Sequence, residues 1–578
     1  MTRNTGAITV FIYVGCVSTA LSQSPRDLVE QLQSADASQR RQAADQMGQH
    51  TSEAWLVPAL AAVLQDRDAD VRWRAARALE RFGPQAVPAM NALIAALKDP
   101  EPLVRAHAAH ALGGTGPSAR LAASALANAM LDPEPLVRRA AVEALGKIRP
   151  GPRVTIPLLT RTLKDAEPSV VLPALHTLAD LGKPVVPLVI EALADEEACY
   201  WACLVLAEIG PEASEAVPAL ARTTQAAEPE VRMQALLALA EMGPAARTAV
   251  PAVVASMRDP ESSVRYAAAY AFGRIGSSHL AGENALHAML RDEDPMLQVV
   301  GAYALARVHG DDQPLLERLV YSLVDKLKHP EPQVRMAAVR ALLEIDAPGE
   351  LTSEALVSAL ADEDPQVLAN VADAAAAQGQ KIVPRLIRGL QNPKLKRMAV
   401  MVLARMGTTA KAAVPALVQA MADDDPAFRA EVQFALGALG PEAAEAVPAL
   451  VASLDHDDKN VCLSACYALG KIGPQAAAAV PRLRANLDGD DSILPLVSAL
   501  ALMRIGPEDA QLRRQTVPLL AEGLQHDDEL VRVESARALG ELGSSARSAI
   551  PALEKATQDP RESVRLAAEE ALQRIKTN

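Results

Sequence analysis

Apolar residues recur along this chain with the period of an α-helix, in a unit that repeats about every 33 residues. Residues 249–276, AVPAVVASMRDPESSVRYAAAYAFGRIG, show the unit most clearly. In the first half, Val250, Val253 and Met257 share one helical face, and a proline stands in the first turn, where its missing N–H costs nothing. This pattern predicts a first helix with one buried face.

The second half of the unit predicts a second helix. Asp259 can cap its start through a side-chain oxygen, and Gly276 can end it in a left-handed conformation. The apolar residues that fall on one face are Val264, Ala268, Ala271, Phe272 and Ile275. Because so short a helical hairpin cannot bury both apolar faces alone, the copies are expected to stack.

Seventeen such second helices can be aligned on the residue that follows the leading apolar position, which we call the register residue. The register residues are Arg40, Arg72, Arg105, Arg138, Val171, Cys199, Arg232, Arg265, Gln298, Arg335, Leu368, Lys396, Arg429, Cys462, Pro495, Arg532 and Arg565. No linker or low-complexity run interrupts the series after Pro25. The chain is therefore predicted to be one domain over residues 23–578.

The spacing of the register residues indicates an internal duplication. From Arg138, and again from Arg335, the steps read 33, 28, 33, 33, 33 and 37 residues, so that Arg138, Arg335 and Arg532 lie 197 residues apart. The simplest account is a six-repeat block duplicated in tandem. The long steps add residues at 310–316 and 506–513, where connecting loops are expected to carry contacts.

The consensus of the units resembles a known family. Val-Pro-Ala-Leu followed by Asp-Pro-x-x-x-Val-Arg-x-x-Ala-Ala-x-Ala-Leu-Gly-x-Ile-Gly is similar to the HEAT repeat, in particular its bacterial PBS-lyase HEAT-like subtype, and residues 84–113 and 544–575 match nearly throughout. The resemblance implies an all-α fold, a right-handed armadillo/HEAT-type α-solenoid of about seventeen two-helix repeats in one superhelix. It says little about function, because such scaffolds serve many functions.

In similar proteins a turn aspartate and a helix arginine form a ladder between neighbouring repeats. The resemblance therefore implies a structural role for the residues that keep this spacing here: Asp66 and Arg72, Asp99 and Arg105, Asp132 and Arg138, Asp259 and Arg265, Asp423 and Arg429, and Asp559 and Arg565. The ladder is expected to break where the register residue is not basic, at Val171, Cys199, Gln298, Leu368, Cys462 and Pro495.

Composition narrows the function classes. Only 3% of the residues are aromatic, which leaves little material for a wide ligand cavity, and the formal net charge is −14. A protein that binds nucleic acid through the phosphate backbone is expected to be basic, so no nucleic-acid partner is predicted.

The first 22 residues have the pattern of a secretory signal peptide. A short basic start at Arg3 precedes an apolar run that is too short to span a bilayer comfortably, and a small-residue cleavage site lies between Ser22 and Gln23. We therefore expect an exported protein, periplasmic or extracellular, with no membrane span in the mature chain. The residues before Cys16 only faintly resemble a lipoprotein processing site, so ordinary cleavage is favoured over lipid anchoring.

Two cysteine pairs and one histidine pair are the candidate metal ligands. Cys199 with Cys203, and Cys462 with Cys466, place two thiols one helical turn apart, and His107 with His110 lie three residues apart. The cysteines occupy register and core positions, where Cys serves as a small apolar residue. Packing is therefore the favoured interpretation, and no metal or cofactor is predicted.

No catalytic constellation emerges from the sequence. None of the ten histidines is followed by glutamate, the dipeptide with which related deoxyhypusine hydroxylases hold iron, and no nucleophile elbow or phosphate loop is present. The sequence predicts a non-enzymatic exported scaffold that binds a protein or peptide along an extended concave surface. The alternatives are a chromophore- or metal-binding lyase-like accessory enzyme and a purely structural spacer.

Overall fold

The computed structural model describes residues 24–345, 350–489 and 493–577, and within these ranges the chain is helical without any strand. It divides into two compact units, one up to Ala285 and one from Leu286 onward. The predicted signal peptide, with Cys16, Ser22 and Gln23, lies outside the described residues.

The α-helices alternate between odd-numbered first helices and even-numbered second helices. The first unit contains α1 (Pro25–Gln31), α2 (Ala37–Met47), α3 (Val57–Ala62), α4 (Ala69–Phe82), α5 (Met90–Ala96), α6 (Pro102–Gly114), α7 (Ala123–Ala129), α8 (Pro135–Ile148), α9 (Pro152–Thr162), α10 (Pro168–Leu181), α11 (Val186–Ala192), α12 (Cys199–Ile209), α13 (Val217–Thr223), α14 (Pro229–Met242), α15 (Val250–Ser256), α16 (Ser262–Ile275) and the start of α17 (Leu280–Met289).

The second unit continues the alternation. It contains the end of α17, then α18 (Pro295–Val308), α19 (Gln313–Lys326), α20 (Pro332–Glu344), α21 (Glu350–Ala359), α22 (Pro365–Ala377), α23 (Val383–Gly389), α24 (Lys396–Met406), α25 (Val414–Ala420), α26 (Pro426–Leu439), α27 (Val447–Ser453), α28 (Lys459–Ile472), α29 (Val480–Ala485), α30 (Leu494–Ile505), α31 (Ala510–Gly523), α32 (Glu529–Glu541), α33 (Ile550–Ala556) and α34 (Glu562–Thr577). Each unit is an α-solenoid, as the sequence predicts, and each register residue lies in its own second helix. One superhelix through both units stays a prediction.

The two kinds of irregular step change the helices in different ways. Eight of the first helices in the described residues follow a seven-residue 3₁₀ turn. In the short steps that turn has only three residues, Lys183–Val185 and Gly379–Lys381, and the second helices α12 and α24 have 11 residues. In the long steps α19 and α31 are continuous 14-residue helices, with Asp312 and Asp509 capping their first turns. The two halves of the predicted duplication thus share the same deviations.

The repeat at residues 249–276 buries the predicted faces. The first-helix residues Val250, Val253 and Met257 are at most 3% exposed, and Val264, Ala268, Ala271, Phe272 and Ile275 of the second helix are fully buried. The prediction that Asp259 caps the second helix is wrong. The N-cap is Glu261, without a side-chain capping bond, and the Asp259 carboxylate instead accepts the Glu261 N–H at 3.0 Å and binds an arginine of the preceding repeat.

Small residues bring consecutive second helices close together. A Cβ on Gly113 would lie 2.9 Å from the Cα of Ala144, and a Cβ on Gly540 would lie 2.9 Å from the Cα of Ala571. Second helices pack against each other more closely than first helices do. Within each unit the second helices therefore form the inner layer of the solenoid.

Two of the glycines that end second helices differ in conformation, which predicts two responses to one substitution. Gly276 is left-handed (φ 64°, ψ 42°), as the sequence predicts, whereas Gly243 has φ 56° and ψ −134°. Asparagine tolerates the first conformation but not the second. We expect Gly276→Asn to lower the free energy of unfolding by less than about 1 kcal/mol and Gly243→Asn by about 2 kcal/mol, measured by urea denaturation. Equal losses would contradict this.

One stretch among the described residues, Pro426–Ser453, is long and apolar enough to be considered as a membrane span. It consists of α26, a 3₁₀ turn and α27, and 44% of its apolar window is buried against the rest of the protein. Its apolar residues include the core of one repeat, so this stretch is weak evidence for a span.

Candidate functional site

The arginine register residues connect consecutive repeats. In α6, Arg105 donates from Nε and Nη2 to the two carboxylate oxygens of Asp132, at 2.7 and 2.8 Å, and from Nη1 to the backbone oxygen of Asp99 at 2.8 Å. Each bidentate arginine therefore meets the carboxylate of the following repeat, 26 or 27 residues later, and in its own turn it meets only the backbone oxygens of residues five or six positions earlier.

The same bidentate geometry recurs in both units. The pairs are Arg40–Asp66, Arg72–Asp99, Arg105–Asp132, Arg138–Asp165, Arg232–Asp259, Arg335–Asp362 and Arg532–Asp559. Lys396 makes a single bond of 2.6 Å to Asp423, and Arg429 contacts His456 at 2.9 Å. Arg265 and Arg565 donate to the backbone oxygens of Asp259 and Asp559. In the bidentate pairs the side chains are at most 16% exposed.

Where the register residue is not basic, the acid is usually missing as well. The partner position holds Ala226 after Cys199, His329 after Gln298, Asn392 after Leu368 and His526 after Pro495. After Val171, Asp195 is bonded to Lys164 instead. The ladder thus avoids leaving a buried carboxylate without a cation, which would be strongly destabilising.

The cysteine pairs are buried, and their thiols form hydrogen bonds within the protein. Cys199 and Cys203 share a hydrogen bond, and that bond together with burial raises the pKa of the Cys203 thiol. The Cys462 thiol donates to the backbone oxygen of His456 at 3.0 Å, and burial raises the pKa of Cys466 to about 11. Because a metal ligand must be a thiolate, the raised pKa values of Cys203 and Cys466 favour packing over coordination.

The two histidines converge on one carboxylate. In α6, His107 Nδ1 lies 3.0 Å from Glu80 Oε2 of α4, and His110 Nδ1 lies 3.4 Å from Glu80 Oε1. The His107 ring also stacks on Trp73, with 5.8 Å between ring centroids. In the described part of the chain, no three His, Cys, Asp or Glu residues are arranged to hold a metal ion.

The histidine–glutamate contacts predict a pH-dependent contribution to stability. Burial acts to raise the pKa of Glu80, but hydrogen bonds from His107 and His110 outweigh it and lower the pKa to about 2. Since this folded-state pKa is depressed, the stabilisation is present above the unfolded pKa of about 4.3 and is lost as pH falls towards 2.

We expect Glu80→Gln to lower the free energy of unfolding by about 1 kcal/mol near pH 6, a value reduced for the one-third exposure of the carboxylate, and by almost nothing near pH 2. Urea denaturation at both pH values measures this. Glu143→Gln is the matched control, because Glu143 Oε2 lies 3.9 Å from His110 Nε2 and should matter little. A loss that is the same at both pH values would contradict the assignment.

A second set of residues lies on the solvent side of the second helices. We call the residue five after each register residue the outward position. In the first unit these residues are Asp45, Arg77, His110, Glu143, His176, Leu204, Leu237 and Tyr270, and in the second Tyr303, Arg340, Asp373, Met401, Phe434, Tyr467, Leu500, Arg537 and Glu570. All are exposed or partly buried except Tyr303, whose hydroxyl donates to Glu344 at 2.8 Å.

The outward positions change in character along the chain. In the first repeats they are charged, and Arg74 and Arg77 flank the Trp73 ring while both bind Asp45. Further on they are apolar or aromatic from Leu204 to Tyr303 and from Met401 to Leu500, and they are charged residues or histidines in the other repeats. The most exposed of the apolar ones are Met401 and Phe434, at 42% and 52%. No motif marks these residues in the sequence, and the signal that locates them is their constant distance of five residues from the register residue.

Comparisons with known proteins bear on the fold. The family model described as HEAT repeats matches residues 25–91, 90–179, 123–200, 186–273, 218–295, 353–425, 380–462, 414–503 and 494–573. The chain has no significant sequence match among curated proteins.

Among solved structures, the chain is similar to the Kap95:Nup1 complex, with 14% identity over 96% of this chain and 88% of that chain and a TM-score of 0.53. It is also similar to the karyopherin Kap121p bound to the SUMO protease Ulp1p, with 13% identity over 95% and 74% of the two chains and a TM-score of 0.53. At these identities the likeness concerns the fold alone.

Proposed function

Because the chain belongs to the HEAT-repeat family, we propose that it is a non-enzymatic scaffold that binds a protein or peptide partner through the outward positions of its second helices. The observation that carries this proposal is the row of solvent-accessible side chains on consecutive second helices. The row is apolar at Leu204 and Leu237, which are partly buried, and at Met401 and Phe434, which are exposed. Burial in the core does not require these residues, and exposed apolar rows are typical of interaction surfaces.

The structural neighbours support the same function class. Kap121p is described bound to the protease Ulp1p, and Kap95 in a complex with Nup1, so solenoids of this fold hold protein partners. The alternative of a lyase-like enzyme that binds a chromophore or metal draws no support from the candidate ligands, since the cysteines are buried and His107 and His110 are bonded to Glu80.

Position-specific photo-cross-linking tests the scaffold. A photoreactive phenylalanine analogue at Leu237 or Phe434 should capture a protein of defined mass in the native host. The same analogue at Tyr321, which is 61% exposed on the first helix α19, should not. Equal capture at all three positions, or none at any, would overturn the proposal.

Export and the PBS-lyase HEAT-like subtype are the finer parts of the proposal. Export is supported by the basic start, apolar run and small-residue site before Gln23, and the subtype by the Val-Arg and Ala-Leu-Gly motifs of the repeats. Intact-mass spectrometry of the protein from its own host tests export. A chain that begins at Gln23 is expected, and a full-length chain in the cytoplasm would overturn it.

A further inference from the structure

Four consecutive second helices of the second unit carry apolar residues at their outward positions. They are Met401 on α24, Phe434 on α26, Tyr467 on α28 and Leu500 on α30, and we call them the apolar ridge. The rings of Phe434 and Tyr467 stack with centroids 4.9 Å apart and an interplanar angle of 5°. With Phe434 half exposed, the ridge presents an aromatic surface to solvent.

The basic side chains beside the ridge differ in whether they are ion-paired. Arg397 is ion-paired with Glu431 and Asp425, and Arg405 is ion-paired with Asp373. Lys471 differs, because its Nζ lies 5.5 Å from the Tyr467 ring centroid and it forms no ion pair with the residues that the structure describes. Lys471 is therefore a cation beside the ridge that can pair with a carboxylate of another molecule.

A buried polar side chain lies next to the stacked rings. Gln433 is fully buried at a position that holds alanine or another apolar residue in most other repeats. Its Oε1 accepts from the Ser464 hydroxyl at 2.5 Å, while its Nε2 has no partner among the described residues. A buried donor without a partner costs stability, and such local costs concentrate at functional sites.

We propose that the apolar ridge binds an extended segment of the partner protein, with a large apolar side chain at every third residue and a carboxylate that pairs with Lys471. Packed helices lie about 9–10 Å apart, and in an extended polyproline II conformation every third side chain lies on the same face of the segment, about 9 Å further along. Successive apolar side chains of such a segment therefore meet successive helices. This inference rests on the proposed scaffold function and names the chemistry of its partner.

The test uses a fluorescein-labelled peptide with phenylalanine at every third position, one glutamate after the last phenylalanine, and serine and glycine elsewhere. Fluorescence anisotropy with the full chain should show saturable binding. The double variant Phe434→Ala with Tyr467→Ala should weaken it at least about 10-fold, because aromatic residues at the centre of an interface dominate binding. Tyr321→Ala, which removes an exposed aromatic side chain from the first-helix layer, should change nothing.

A charge exchange separates the carboxylate contact from any loss of folding. Lys471→Glu should weaken the glutamate peptide several-fold and should bind a peptide with lysine in place of the glutamate better than the wild-type chain does. No binding of the glutamate peptide, or equal binding by the wild type and the double variant, would overturn the inference. If cross-links persist at Leu237 and fail at Phe434, the scaffold function stands and the apolar ridge is not its contact.

Discussion

Phe272→Ala is expected to lower the free energy of unfolding of the surrounding repeats by about 3–5 kcal/mol, the range for truncation of a buried aromatic side chain. Phe272 is fully buried in α16, and it is one of the largest such side chains in the described chain. Its ring lies against Gly282, where a Cβ would be 2.4 Å from the Phe272 Cε2 atom. The truncation therefore opens a cavity between α16 and the following helix, and small neighbours cannot fill it.

The close contact provides a matched second variant. Gly282→Ala should destabilise the wild type by about 1–3 kcal/mol, because the new methyl group overlaps the ring. In the Phe272→Ala background the same change should be neutral or stabilising, because the overlap is gone and alanine favours the helix. Phe434→Ala, which truncates a phenylalanine that is 52% exposed, should cost less than about 0.5 kcal/mol.

Native-state hydrogen exchange at α16 is the appropriate measurement, since a repeat array need not unfold in one step. Protection of the α16 amides should fall in Phe272→Ala and remain in Phe434→Ala. Unchanged protection in Phe272→Ala would mean that the buried face of the second helix has been assigned incorrectly.

The repeating fold could be predicted because its information is local. The buried face of each helix follows from the 3.6-residue period of its own apolar side chains, and each register residue lies in a separate second helix. The role of Asp259 could not be predicted from its own repeat. An Asp-Pro pair before a helix favours capping, whereas the carboxylate binds Arg232, 27 residues earlier, in the preceding repeat.

Which residues of a second helix are exposed could not be predicted from a single repeat either. Leu236 and Leu237 are the same residue type at adjacent positions, yet the first is fully buried and the second is only partly buried at an outward position. Phe434 and Tyr467 are 33 residues apart, and only the stacking of repeats brings their rings together. The candidate surface is a property of the packing between repeats, which the residue types alone do not specify.

Arg105→Leu is the second large effect, with an expected loss of about 2–3 kcal/mol in the free energy of unfolding at neutral pH, because it leaves the Asp132 carboxylate without its bidentate partner. The Asp132 side chain is 10% exposed and keeps the Glu134 N–H at 3.0 Å, which places the loss at the low end for a broken buried pair. Urea denaturation with hydrogen exchange at α6 and α8 measures it. Rescue should follow from Asp132→Asn, because the double variant reproduces the Leu368 and Asn392 combination already present in this chain.

The pH dependence distinguishes this electrostatic cause from lost packing. In the wild type, burial opposes ionisation of Asp132, but the Arg105 hydrogen bond lowers its pKa, so the pair contributes stability above the unfolded pKa of about 3.9 and loses it as pH falls through the lowered folded value. In Arg105→Leu, burial without the arginine raises the folded pKa, so the penalty is present above that value and disappears as the carboxylate is protonated. The difference between the two proteins should therefore shrink below about pH 4, whereas a loss due only to missing side-chain packing would persist in acid.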